Sequence, residues 1–126
     1  MNKVQHFEVP ADDISRAYKF YHDVFNWKKG EYPMGKEVYH LFDSGIAKDK
    51  EGLTTEPGAI DGAVIQRKNE KGTVIYITVD SIDETVKKAE TAGGKIMGDK
   101  ATYDFGAYAR ISDSEGNIVG LFEMSK

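Results

Sequence analysis

Residues 4–25, VQHFEVPADDISRAYKFYHDVF, and residues 74–92, VIYITVDSIDETVKKAETA, carry the same two-part pattern. Each opens with a short run, partly alternating in the first and rich in β-branched residues in the second, meets aspartates or a serine, and then changes to apolar positions at steps of three and four. The first part reads as a strand, the acidic or hydroxyl residues as a helix N-cap, and the second part as an amphipathic helix. In the first copy Ile14, Ala17, Tyr18, Tyr21, Val24 and Phe25 form the apolar stripe, with Asp12 or Asp13 as cap and an end near Asn26. In the second, Asp80 or Ser81 caps a helix over about 82–92, stopped by Gly93 and Gly94.

Working outward, residues 27–32 and 37–43 read as two aromatic-rich strands joined by a turn at Pro33 and Gly35. Residues 44–60 hold three glycines and a proline among polar residues, a loop of the length often used for lids and binding elements. Further strands are expected at 63–67, 95–98, 107–112 and 118–124. A shift of 68 superposes the two strand-to-helix units, and a shift of 54 lays Asp61 and Gly62 on Glu115 and Gly116. The expectation is one α+β domain over 1–126, built from two βαβββ modules, about 1–68 and 73–126, whose sheet faces form a concave cleft.

Composition narrows the function. A net charge of −4 and a pI near 5.4, with no basic block, argue against nucleic acid and anionic membranes as partners. No signal pattern and no membrane-spanning apolar run is present, so a cytoplasmic protein is expected. The absence of cysteine removes disulfides, thiolate nucleophiles and zinc–thiolate sites. Gly93-Gly94 ends a helix instead of opening one, and no Gly-x-Ser-x-Gly occurs, so dinucleotide-loop and serine-hydrolase readings fail.

The segment His6-Phe7-Glu8-Val9-Pro10-Ala11-Asp12-Asp13, with Arg16-Ala17, Phe20-Tyr21 and Val24-Phe25-Asn26-Trp27, resembles the opening of the glyoxalase, bleomycin-resistance and extradiol-dioxygenase (vicinal oxygen chelate) superfamily. Val79-Asp80-Ser81-Ile82-Asp83, Gly93-Gly94-Lys95 and Asp113-Ser114-Glu115-Gly116-Asn117 are similar to its second half. The resemblance implies a cleft in which a divalent metal, held by the first and last strands of each half, chelates adjacent substrate oxygens. It also implies a homodimer.

The internal shifts put the four implied ligand positions at His6, Val74, Gln66 and Gly120. Valine and glycine cannot ligate, and an imidazole with an amide is a poor cage for a hard ion. No metal ligand set is therefore assigned and no cofactor is identified. Glu123 lies three residues beyond Gly120, and strand alternation turns it toward the helix side.

Alternation also gives the cleft lining. With Ile75, Ile77 and Val79 toward their helix, Val74, Tyr76 and Thr78 face the cleft; Tyr108, Arg110, Gly120 and Phe122 follow, and Val64 and Gln66 on the fourth strand. His6 and Glu8 are candidate catalytic residues. Gln66, Tyr76, Tyr108, Arg110 and Phe122 are candidate small-molecule contacts. Plainer readings stand beside these: His6 bonded to a neighbour such as Gln66, Arg110 paired with Glu8, and the tyrosines as packing. His22 is expected to be exposed, and His40 has no assignable face. The functions in view are a lyase- or isomerase-like enzyme acting on a small oxygenated metabolite, a non-catalytic binding protein of the bleomycin-resistance type, and an interaction module without ligand.

Overall fold

The computed structural model describes residues 2–125. It contains nine strands and two helices among those residues, a mixed α+β fold, and its contacts group into two compact halves. Residues 6–73 form the first half, and residues 74–125 with 2–5 the second.

In the first half the order is β1 (Lys3–Ala11), α1 (Ile14–Phe25), β2 (Lys28–Met34), β3 (Glu37–Asp43) and β4 (Asp61–Gln66). The strands lie side by side as β2-β3-β4-β1, with β1 and β4 parallel and the rest antiparallel. β1 continues through Pro10, where an end of the strand was expected, because a missing N–H costs one ladder bond and no more. Asp13 is the cap of α1, its carboxylate accepting from the Arg16 N–H at 3.0 Å, and Asn26 ends the helix in the left-handed conformation at φ 60°. The apolar stripe of α1 packs over its first two turns: Tyr18 is buried against Ala11, Phe42 and Val64, with Phe7, Val9, Ile14, Ala17, Tyr21 and Trp27 around them, whereas Val24 and Phe25, expected in the stripe, are exposed at the helix end.

The second half runs β5 (Val74–Thr78), α2 (Ile82–Thr91), β6 (Lys95–Ile96), β7 (Ala101–Tyr103), β8 (Gly106–Ser112) and β9 (Ile118–Met124). β5 and β9 are parallel, β8 and β9 antiparallel, and β6 and β7 both pair with β8. The short β7 is an addition to the expected set. Ser81 caps α2 by accepting from the Glu84 N–H at 3.2 Å, and Gly93 follows the helix at φ 101°. Val79, Ile82, Ala107, Ala109 and Leu121 form the core beneath α2. Full burial of Ile82 and Leu121 is worth roughly 1.5–3 kcal/mol each.

The strand registers give the correspondence between halves. Ala63 stands beside Glu8, and Gly120 beside Tyr76, so with β1 and β5 related by 68 the last strands correspond at a shift of 57, three more than the sequence match suggested. The counterpart of Gln66 is therefore Glu123, and that of Gly120 is Ala63.

Candidate functional site

In each half, one face of the sheet is covered by its helix and the other carries the candidate residues, with the exception of Gln66. Parity on β5, β8 and β9 is as expected: Ile77, Ile111 and Leu121 join the α2 core, while Tyr76, Tyr108, Arg110, Gly120 and Phe122 share the opposite face. On β4 the reading was inverted. His6 is in register with Asp61 and Glu8 with Ala63, whereas Val64 is in the α1 core. Val64 and Gln66 thus lie on the helix side.

Gln66 is also at the wrong end of the strand for His6. It pairs with Ala11, five residues and roughly 16 Å along the sheet. Its amide donates to the Asp12 carbonyl at 3.1 Å, at the entrance to α1. Glu123 makes the matching contact in the second half, accepting from the Ile82 N–H at 2.7 Å at the start of α2. Both residues serve helix entrances, and the helix-side orientation expected for Glu123 is observed. His40 takes the same side of β3 as Phe42, against the Tyr18 ring, and His22 is exposed on α1.

On the open face of the first half, His6 and Glu8 from β1 meet Tyr39 from β3. The Tyr39 hydroxyl lies 2.7 Å from His6 Nε2 and donates to Glu8 Oε2. A phenol has one hydrogen, so with that hydrogen on Glu8 the imidazole donates from Nε2 and carries its lone pair on Nδ1. The Glu8 carboxylate is 6% exposed, and the hydroxyl supplies the charge-assisted hydrogen bond that burial demands. Burial holds the His6 pKa below the usual histidine value; Glu8 and Asp61 act in the opposite sense, and Lys48 adds to the depression. Burial therefore favours the neutral imidazole of His6 over its cation.

Tyr39, Asp61 and Lys48 were not singled out in the sequence. Tyr39 had a signal: in the registers it stands where Tyr108 stands in the second half, two residues before the partner of the Ala63 or Gly120 position. Lys48, from the 44–60 loop, forms an ion pair with Asp61 at 3.2 Å.

The open face of the second half is aromatic. The Tyr108 ring lies 4.8 Å from Phe122 and meets Tyr76 edge-on at 5.8 Å. Tyr103 and Phe105, stacked on each other at 5.5 Å, extend the cluster from β7 and the turn after it. Arg110 donates from Nε to the Tyr76 hydroxyl at 3.2 Å. Gly120 is where the Tyr76 ring lies against bare backbone: a Cβ there would be 2.4 Å from the ring.

A divalent metal does not fit this donor set. On the open face of the second half, the first and last strands present Val74, Tyr76, Gly120 and Phe122, none of them an imidazole or carboxylate. Among the described residues no group of three or more His, Asp or Glu side chains is arranged to hold a metal ion.

Sequence and structure comparisons place these observations in a family. The model of the Glyoxalase/Bleomycin resistance protein/Dioxygenase superfamily matches residues 3–121. A glyoxylase-like domain-containing protein of Didymella fabae is 30% identical, over 91% of this chain and 88% of its own. CFP32 of Mycobacterium bovis, provisionally named a glyoxylase, is 28% identical over 94% of this chain, which spans 44% of that protein. Among solved structures, a variant of Streptomyces coelicolor methylmalonyl-CoA epimerase in complex with 2-nitronate-propionyl-CoA superposes with a TM-score of 0.67 at 12% identity, covering 98% of each chain. No helix of the described residues is long and apolar enough to cross a membrane. The chain belongs to the Glyoxalase/Bleomycin resistance protein/Dioxygenase superfamily.

Proposed function

We propose that the protein is a small-molecule enzyme of the isomerase or lyase type that moves a proton at a carbon next to a carbonyl, using His6 as the base without a metal. The observation that carries this reading is the Tyr39 hydroxyl held between the His6 imidazole and the Glu8 carboxylate on an open sheet face. A neutral imidazole can take a proton at Nδ1, and the cation so formed is stabilised through Tyr39 by the Glu8 carboxylate and by nearby Asp61. Returning the proton from His6 to a neighbouring carbon completes an isomerisation; an epimerisation requires that the same carbon be reprotonated on its opposite face, by solvent or a second acid. The epimerase likeness supports the choice of carbonyl compounds, coenzyme A thioesters among them, as the first substrates to try.

The test is deuterium incorporation from D2O into a panel of thioesters and 2-oxo acids, in the presence of EDTA. Exchange should fall by about 10²–10⁴-fold in His6→Ala and by a smaller factor in Tyr39→Phe. Exchange that survives His6→Ala, or that requires added metal, overturns the proposal.

The aromatic face around Arg110 supports a second reading, a non-catalytic binding protein. It predicts a rise in Tm with an aromatic or anionic ligand, lost in Arg110→Ala, and no turnover of any panel member. Under either reading we infer a cytoplasmic homodimer; sedimentation as a monomer at micromolar concentration refutes the dimer.

A further inference from the structure

The 44–60 loop, read from the sequence as a potential lid, is a small folded unit. Lys48 and Thr54 form a β-bridge, and the Asp49 carboxylate accepts from the Glu51 and Leu53 N–H groups at 2.9 and 3.0 Å. Thr55 N–H reaches the Ala47 carbonyl at 3.0 Å, and Thr54 Oγ1 that of Ala59 at 2.7 Å. Its leading flank is suited to bending: Gly45, at φ 83°, has no neighbouring atom where a side chain would go, whereas Gly58 lies inside the unit in the turn closed by the Ala59 N–H on the Glu56 carbonyl.

An ion pair joins this unit to the strand beside His6. Asp61 is in register with His6 on the adjacent strand, about 4.8 Å away at the backbone, and its carboxylate holds Lys48 at 3.2 Å. The lysine side chain is 36% exposed and the aspartate 15%. A pair whose lysine still reaches water can bias a hinged segment without locking it.

We propose that Lys48 and Asp61 form a latch that keeps the 44–60 loop folded over the His6 face, and that its release opens the way to the imidazole. The inference deepens the acid–base reading by naming how a substrate reaches His6, yet its test does not use activity.

The chain's three histidines supply the experiment. Diethylpyrocarbonate acylates neutral imidazoles, and peptide mapping by mass spectrometry separates His6 from His22, exposed on α1, and His40, packed against Tyr18. At pH 7.5 the acylation rate of His6 should rise at least fivefold in Lys48→Met and in Asp61→Asn, with His22 and His40 unchanged. Lys48→Arg should restore the wild-type rate. In the wild type, 0.5 M NaCl should raise the His6 rate in the same sense, because salt screens an exposed pair. A His6 rate unmoved by Lys48→Met overturns the latch, as does a rise shared by His40, which signals general loosening. Because exchange into substrates is measured separately, a failed latch leaves the role of His6 standing. A failed base likewise leaves the latch standing.

Discussion

The open faces of the two halves occupy equivalent strands and hold opposite chemistry. At the position of Glu8 the second half has Tyr76, at that of His6 it has Val74, and at that of Leu41 it has Arg110. One face is a half-buried imidazole and phenol wired in series with a buried carboxylate. The other is an arginine among tyrosines and phenylalanines. The difference teaches that a duplicated unit preserves what its helix needs and releases what its open face does. Gln66 and Glu123 still contact the helix entrances, and Tyr39 and Tyr108 still share a position, but the groups around those tyrosines have nothing in common.

Breaking the polar chain of the first half and crowding the Tyr76 ring of the second should give the two largest changes. Tyr39→Phe leaves the Glu8 carboxylate and the His6 N–H without their shared hydroxyl in a buried setting, a loss of about 1–3 kcal/mol by urea denaturation. At the matched pair of small residues the halves should respond with opposite demands. Gly120→Ala forces a methyl group against the Tyr76 ring and should cost about 1–3 kcal/mol, whereas Ala63→Gly should cost about 0.5–1 kcal/mol. Equal costs would show that Tyr76 is free to move aside. Glu123→Ala removes the carboxylate that accepts from the Ile82 N–H and should cost about 1 kcal/mol.

The smallest effect is a slope. Burial depresses the His6 pKa, so the unfolded chain binds the proton more readily than the folded one. The contribution of neutral His6 is complete above the unfolded value of about 6.5 and is lost as pH falls below it toward the folded pKa. Stability measured from pH 7.5 to 5 should therefore decline less steeply in His6→Gln than in the wild type.

The strand-to-helix units were legible because their periods are clean: β-branched residues in β5 alternate in role, and the α1 stripe repeats at helical spacing. The same clarity made the second half's open face readable at Tyr76, Tyr108, Arg110 and Phe122. It failed on β4, where Ala63 and Val64 are both fully buried, so neither face is marked by polarity and parity had no anchor. β3 is similar, with Tyr39, His40, Leu41 and Phe42 in succession, and Tyr39 was missed for that reason. Lys48 gave no sign of its role, because a loop contact made thirteen residues away depends on how the loop folds, which local patterns do not encode. Gln66 was placed by an alignment three residues out of step, and only the ladder of β1 and β4 corrects it.

The packing of Tyr76 against Gly120 also constrains which sequences can precede or follow this one. A larger side chain cannot be placed at position 120 by one substitution, since the ring already occupies its space. The two positions are coupled, and any such change must shrink residue 76 first or alter both together. Relatives with a large residue at the Gly120 position should accordingly carry a small one opposite it, a covariation that a family alignment can reveal.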